Sequence, residues 1–273
     1  MFLYILIKLN NFYIGESVEF MRDNMSDEFV DLTVTSPPYD SIRKYKGFKF
    51  DYKSMIEELY RVTKQGGVVV WVVGDQTHKG SETGTSFKQA LYAMNVGFNL
   101  HDTMIYEKLN PIPLTHNRYE QYFEYMFVFS KNKPKTFNPI KVNVKNPNKP
   151  YKWKSKEKGS SKRDRSEITY SKNSKIKSNI WIYALDGNRE PKNHPAPFPE
   201  QLAHDHIISW SNPGDIVFDP MCGSGTTCKM AWLNKRKFIG IDMSEEYIND
   251  ICIPRLEMYG WKQEENKNTN IIF

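Results

Sequence analysis

Two short segments of this 273-residue chain combine residue types and spacing suited to chemistry: Thr35-Ser36-Pro37-Pro38-Tyr39, and far downstream Phe218-Asp219-Pro220-Met221-Cys222-Gly223-Ser224-Gly225-Thr226-Thr227. The first suits a pocket for the exocyclic amino group of a flat ring. Such an amine is a poor nucleophile, because its lone pair is delocalised into the ring. The Ser36 side-chain oxygen and a main-chain carbonyl of Pro37-Pro38 can accept its two N–H bonds, so that the nitrogen pyramidalises and aims its lone pair at an electrophile. Tyr39 would stack on the ring. Two consecutive prolines remove two N–H donors and stiffen the turn, leaving carbonyls at fixed positions. The same tetrapeptide also reads as an ordinary turn. Its context favours the pocket: residues 29–35 form a buried-strand pattern that carries the polar residues to a strand's carboxyl end, where open α/β sheets bind ligands.

The second segment reads as a strand (216–219), a glycine turn (223–225) and a helix (226–235), with the glycines allowing close approach of backbone to ligand. A lone Gly-Ser-Gly is also a common surface turn. Here it is followed by a second apolar strand, residues 237–242, ending in Asp242, 23 residues after Asp219. That spacing suits a carboxylate on ribose hydroxyls. Ser244 can cap the next helix, with Glu245 and Glu246 in its electropositive first turn. A nicotinamide-binding unit shares these features, but its fingerprint wants a third glycine where Cys228 stands.

The run Phe-Asp-Pro-x-x-Gly-Ser-Gly-Thr-Thr resembles the S-adenosylmethionine loop of the DNA amino-methyltransferases. With Thr35-Ser36-Pro37-Pro38-Tyr39 ahead of it, the order is similar to that of the permuted β group. Asn193-His194-Pro195-Ala196-Pro197-Phe198-Pro199-Glu200 resembles the segment of the same family that packs against the methionine end of the cofactor. Tyr13-Ile14-Gly15-Glu16-Ser17 looks like the family's opening strand and turn, with glutamate where aspartate is more usual. Gly66-Gly67 with residues 68–75 looks like the next strand, tipped by Asp75. Asn110-Pro111-Ile112-Pro113, Asn117-Arg118 and residues 122–131 resemble the pocket loop and late strand of cytosine-N4 members.

The resemblance implies a Rossmann-like class I S-adenosylmethionine-dependent methyltransferase fold, α/β, with a mostly parallel sheet covered by helices on both faces and a basic insert. It implies catalysis by Ser36, Pro37, Pro38 and Tyr39. It places S-adenosylmethionine against Thr35, His194, Pro195, Phe198, Asp219, Pro220, Met221, Cys222, Gly223, Ser224, Gly225, Thr226, Asp242 and Met243. Met221-Cys222 stands where the family often has Phe-x or Tyr-x, which leaves the adenine contact open. No metal is required. The substrate would be a base flipped out of double-stranded DNA. Ser36, where many adenine enzymes carry Asp or Asn, resembles the cytosine-N4 subset, with adenine N6 the alternative. A cytosine-C5 mechanism needs a thiolate nucleophile, typically in a Pro-Cys pair, and the chain has no such dipeptide. Two other classes share some of these features: an RNA or protein-glutamine methyltransferase, which usually has the cofactor loop first, and a non-catalytic DNA-binding protein on the same scaffold.

Charge is unevenly distributed. Residues 131–177 carry 16 Lys and Arg against three acids, a surplus of +13 in a chain whose net is +6, so the remainder carries −7. A basic insert with aromatic punctuation suits a surface that tracks phosphates, and a solvated lysine-rich loop is the alternative. Candidate DNA contacts are Lys152, Trp153, Lys154, Arg163 and Arg165 there, with Arg43, Lys44 and Arg118 elsewhere. Three domain segments follow: 1–130 for the catalytic half, 131–180 for a target-recognition insert, and 181–273 for the cofactor half.

Composition bounds the rest. At 39% hydrophobic residues the chain can build one substantial α/β core. Cys222, Cys228 and Cys252 form no CxxC pair and suggest neither a disulfide framework nor zinc. The apolar opening, residues 1–7, is too short for a membrane span and lacks a basic leader, so an edge strand or tail is expected in a cytoplasmic enzyme. A cognate restriction endonuclease is a possible partner, and monomer and homodimer both stay open. Helices are expected at 51–65, ending at Gly66-Gly67; at 86–95, with Phe87, Leu91 and Met94 as its apolar stripe; and at 199–210, started by proline.

Overall fold

Apolar runs pair into one sheet whose strands alternate with helices along the chain. The computed structural model describes residues 7–38, 50–110, 118–143, 173–184 and 199–263. In chain order the first half comprises β1 (Asn11–Ile14), α1 (Ser17–Asn24), β2 (Val30–Thr35), α2 (Tyr52–Val62), β3 (Thr63–Val73), a small hairpin of β4 (Thr77–His78) and β5 (Ser81–Glu82), α3 (Thr85–Val96), β6 (Asn99–Lys108) and β7 (Phe123–Ser130). Then come β8 (Lys141–Asn143), β9 (Ser174–Ile176), β10 (Ile180–Tyr183), α4 (Glu200–Trp210), β11 (Ile216–Asp219), α5 (Thr226–Leu233), β12 (Lys237–Asp242), a π-helical turn (Tyr247–Cys252) and α6 (Ile253–Glu257).

Eight of these strands form a sheet in the order β1-β12-β11-β2-β3-β7-β6-β10. Only β7 runs antiparallel to its neighbours. The expected mostly parallel sheet is therefore present. Side chains alternate across it. Val69, Trp71 and Val73 of β3 join Phe20 and Met21 of α1, Leu59 and Val62 of α2, and Ala90 and Ala93 of α3 in one core. Val68, Val70 and Val72 are equally buried on the other face, where α4 packs on α5 and His206 Nε2 lies 3.2 Å from Met126 Sδ of β7.

Two expectations need correction. The helix at 51–65 is capped by the Asp51 carboxylate, which accepts from the Lys53 and Ser54 amides, but it stops at Val62, and Gly66-Gly67 lie inside β3. Those glycines serve close backbone approach. Gly66 has φ +77° and exchanges hydrogen bonds with the 131–135 turn, and a Cβ on Gly67 would sit 2.9 Å from the Lys64 carbonyl. The helix at 86–95 forms, but its apolar stripe faces outward: Phe87, Leu91 and Met94 are 50%, 65% and 47% exposed. The buried face is Ser86, Gln89, Ala90 and Ala93. Small residues let the helix lie close to the sheet, and Gln89 Oε1 accepts from the buried Trp71 Nε1 at 2.8 Å.

Residues 139–178 form a compact unit of their own, the rest of the chain another. Its described residues make an antiparallel ladder, with Lys141 opposite Ile176 and Asn143 opposite Ser174. The basic stretch 144–172, with Lys152, Trp153, Lys154, Arg163 and Arg165, lies outside the described residues, as does 1–6 of the apolar opening.

Candidate active site

The winding of the sheet diverges between β2 and β11. From β2 the chain crosses α2 to β3 on one side, and from β11 it crosses α5 to β12 on the other. Divergence of this kind opens a crevice at the strands' carboxyl ends. Both chemically suited segments end there. Leu32 pairs with Val217 and Thr33 with Phe218, so Thr35 and Asp219 finish neighbouring strands.

Thr35 Oγ1 donates to Asp219 Oδ1 at 2.7 Å, and both residues are buried. The Met221 amide donates to the same carboxylate oxygen at 3.2 Å. Thr227, the second residue of α5, donates its hydroxyl to the Val34 carbonyl at 3.0 Å, a second tie between helix and β2. Burial pushes the Asp219 carboxyl from its ordinary 3.8 up to about 7; hydrogen bonds from Thr35 and Met221 pull it down, and the Asp242 charge adds to the rise. Ser36 and Pro38 are half-buried beyond Thr35, and Pro37 is buried. Tyr39, Arg43 and Lys44 lie outside the described residues.

The loop from Cys222 to Gly225 is held on every side. Cys222 N–H donates to the Ile241 carbonyl at 2.9 Å and Gly225 N–H to the Cys222 carbonyl at 2.7 Å. Gly223 and Gly225 both have positive φ, 50° and 74°, where a side chain would be strained. Asp242 accepts from Gly223 N–H through Oδ2 and from Ser244 N–H through Oδ1, each at 2.8 Å. Burial raises its carboxyl pKa, and those amides, with that of Met243, hold the rise down. Ser244 Oγ in turn accepts from Tyr247 N–H at 3.2 Å, the expected cap. The acid at the end of β12 thus shapes the glycine loop directly.

Several residues that sequence reasoning passed over belong to this framework. Ser17 Oγ donates to the Pro220 carbonyl, tying α1 to the loop. Cys252 and Arg255, near the C-terminal end of the described chain, donate to the carbonyls of Gly223 and Ser224. Nothing local in the sequence marks them, since their role depends on a long-range fold. Among the expected cofactor residues, Pro220, Gly223, Ser224, Gly225 and Thr226 are buried around the turn, Met221 is half-buried and Met243 is 48% exposed beside Asp242. Cys222 is buried against Cys228 and Cys252, and burial raises all three thiols. His194, Pro195 and Phe198 lie outside the described residues. Arg118 donates to the Gly80 carbonyl and pairs with Glu82 at 3.7 Å, so it anchors the β4–β5 hairpin.

A glycine turn at a helix N-terminus, a buried acid at the first strand's end and a second acid at the end of the next suit a nucleoside cofactor with ribose hydroxyls. Together with the sheet order this defines a Rossmann-like fold with a nucleoside-cofactor site, the architecture of class I methyltransferases. The DNA methylase family model for N6 and N4 enzymes matches residues 30–252, and the chain belongs to that family. It is 54% identical over 250 residues to the orphan methyltransferase M.BamHII of Bacillus amyloliquefaciens, covering 88% of this chain and 93% of the relative. Among solved structures, the cytosine-N4-specific PvuII DNA methyltransferase superposes with a TM-score of 0.66 at 21% identity, covering 89% of this chain and 85% of the other. The M1.HpyAVI–SAM complex superposes with a TM-score of 0.61 at 23% identity, covering 90% of this chain and 98% of the other. The chain is a site-specific DNA methyltransferase using S-adenosylmethionine. Among the described residues no helix is long and apolar enough to cross a membrane.

The raised Asp219 pKa has a pH consequence for the protein without cofactor. The folded-state carboxyl holds its proton more tightly than the unfolded one, so its contribution to stability is complete below about pH 3.8 and is lost as pH rises to about 7. Asp219→Asn lacks this titration. Its stability relative to wild type should therefore rise between pH 4 and pH 8, by up to ~4 kcal/mol. Urea denaturation across that range measures it, and a pH-independent difference would show that Asp219 titrates normally.

Proposed function

We propose that this chain methylates the N4 amine of cytosine flipped out of duplex DNA, with Ser36-Pro37-Pro38-Tyr39 as the catalytic segment. The observation that carries the reading is the Thr35–Asp219 hydrogen bond at 2.7 Å, which fixes the residue before Ser36 against the first residue of the glycine-loop segment. S-adenosylmethionine supplies a methyl on a sulfonium sulfur, so transfer breaks one C–S bond, forms one C–N bond and leaves one proton to be shed to solvent or a nearby acceptor. Ser36 Oγ and a carbonyl of Pro37-Pro38 accept the two amine N–H bonds and draw the lone pair out of the ring. Tyr39 stacks on the base. Asp242 has both oxygens on backbone amides, and each keeps a lone pair for the ribose hydroxyls. His194, Pro195 and Phe198 close the methionine end.

The choice of cytosine rests on Ser36, whose hydroxyl suffices to accept one amine proton. Ser36→Ala should lower turnover about a hundredfold or more on DNA carrying the site, while S-adenosylmethionine affinity changes less than about threefold. Nucleoside mass spectrometry of DNA methylated by the wild-type protein should find N4-methylcytosine. N6-methyladenine instead would overturn the base assignment, and unimpaired turnover in Ser36→Ala would remove the catalytic role.

The basic stretch within 131–180 is proposed as the target-recognition region, supported by its +13 surplus over residues 131–177. Neutralising Lys152, Lys154, Lys156 and Lys158 together should weaken binding to all DNA sequences and flatten the salt dependence by nearly one unit of slope per lost phosphate contact. A slope equal to wild type would make this a solvated loop. A companion endonuclease and the oligomeric state are separate questions, which co-purification and light scattering answer.

A further inference from the structure

The glycine loop is gripped from behind by the C-terminal segment, and a buried cation shares in the grip. Arg255 of α6 is 8% exposed. Its Nη1 donates to the Ser224 carbonyl at 2.7 Å and lies 3.2 Å from Thr226 Oγ1. Three residues earlier, Cys252 Sγ donates to the Gly223 carbonyl at 3.1 Å. The Ser224–Gly225 peptide is therefore held at both ends, its carbonyl by Arg255 and its N–H by the Cys222 carbonyl. Two successive loop carbonyls point back into the protein. Helix α5 starts directly after this clamped turn, and a helix's first N–H groups lack intrahelical acceptors.

The same guanidinium reaches a second element. Arg255 Nη2 and Lys229 Nζ, at 2.5 and 2.6 Å, share one carboxylate oxygen of Glu200. Glu200 is the first residue of α4 and the last of the proline-rich segment expected at the methionine end. Burial raises its carboxyl pKa, but Lys229 and Arg255 outweigh this and hold it below its ordinary value, so Glu200 stays ionised at neutral pH. Two cations against one anion leave one positive charge in excess behind the loop. Apolar packing often serves stability as well as a partly buried charge cluster of this kind, so the cluster is weak evidence of a purely stabilising role.

We propose that Arg255 is a positioning residue for cofactor binding: it sets the Ser224–Gly225 peptide and, through Glu200, joins the glycine loop to the start of α4. This rests on the reading that the 219–226 loop holds S-adenosylmethionine. The effect belongs in cofactor affinity and not in the chemical step, because the contacts of Arg255 are with the loop's Ser224 carbonyl, Thr226 and Glu200.

The test compares full-length Arg255→Met, Arg255→Lys, Glu200→Gln and Asp242→Ala with wild type. Calorimetry gives the S-adenosylmethionine Kd, and methylation of amplified, unmodified genomic DNA gives KM and kcat. Arg255→Met should raise Kd and KM for the cofactor about tenfold or more, with kcat at saturating cofactor within about twofold of wild type. Arg255→Lys, which keeps a charge and a donor, should recover most of that loss. A merely structural arginine would lower thermal stability without separating KM from kcat. An unchanged KM in Arg255→Met, or a fall in kcat alone, overturns the proposal. If neither Arg255 variant folds, Glu200→Gln decides: a rise in KM of about threefold supports the tether and an unchanged KM overturns it. Asp242→Ala separates the two levels. Weaker cofactor binding there with none in Arg255→Met defeats only this inference, and no change in either defeats the assignment of the loop as well.

Discussion

The hydrogen bond from Thr35 to Asp219 joins residues 184 positions apart at the centre of the sheet. The proposed site is organised around that contact, because it fastens the end of β2 to the end of β11 where the sheet's winding diverges. A carboxylate there is 2% exposed and expensive unless donors surround it. The Thr35 hydroxyl and the Met221 amide do so, one at the end of β2 and one in the glycine-loop segment. Satisfying one buried acid therefore brings the start of the proposed amine-binding segment and the glycine loop together.

Chain order does not matter to this arrangement. The tetrapeptide comes early and the glycine loop late, yet β2 and β11 are adjacent because the sheet places strands from the two halves of the chain side by side. At the junction the two parallel crossovers, β2 to β3 and β11 to β12, each run through a helix, α2 and α5, and this holds in either chain order. Around the junction the polar framework is redundant: Ser17, Asp242, Cys252 and Arg255 each hold one backbone group of the 220–224 segment. Such a loop is preorganised for its ligand, which lowers the ordering cost of binding.

Much of this was legible in the sequence for specific physical reasons. Strands β2, β11 and β12 are short apolar runs bounded by polar or glycine residues, and a parallel sheet buried on both faces demands that pattern. Asp219 and Asp242 stand out because an acid ending an apolar strand is costly without a purpose. Helix α3 was legible in extent but not in orientation. Its three large apolar residues are exposed and its small ones buried, since close packing of α3 against the sheet favours Ala90 and Ala93 over bulk. Gly66-Gly67 suggested a helix end because glycine serves both as a stop and as a point of close approach. Arg255 and Cys252 left no local trace. Their partners are 31 and 29 residues away, and no short-range pattern encodes a hydrogen bond to a distant carbonyl.

A double-mutant cycle on Thr35→Val and Asp219→Asn, read out as kcat/KM for S-adenosylmethionine, measures whether the two loops are one unit. If the bond couples them, the effects are strongly non-additive, with an interaction energy of about 1–3 kcal/mol. Effects that simply add would contradict it, and would mean that the tetrapeptide and the glycine loop are positioned independently.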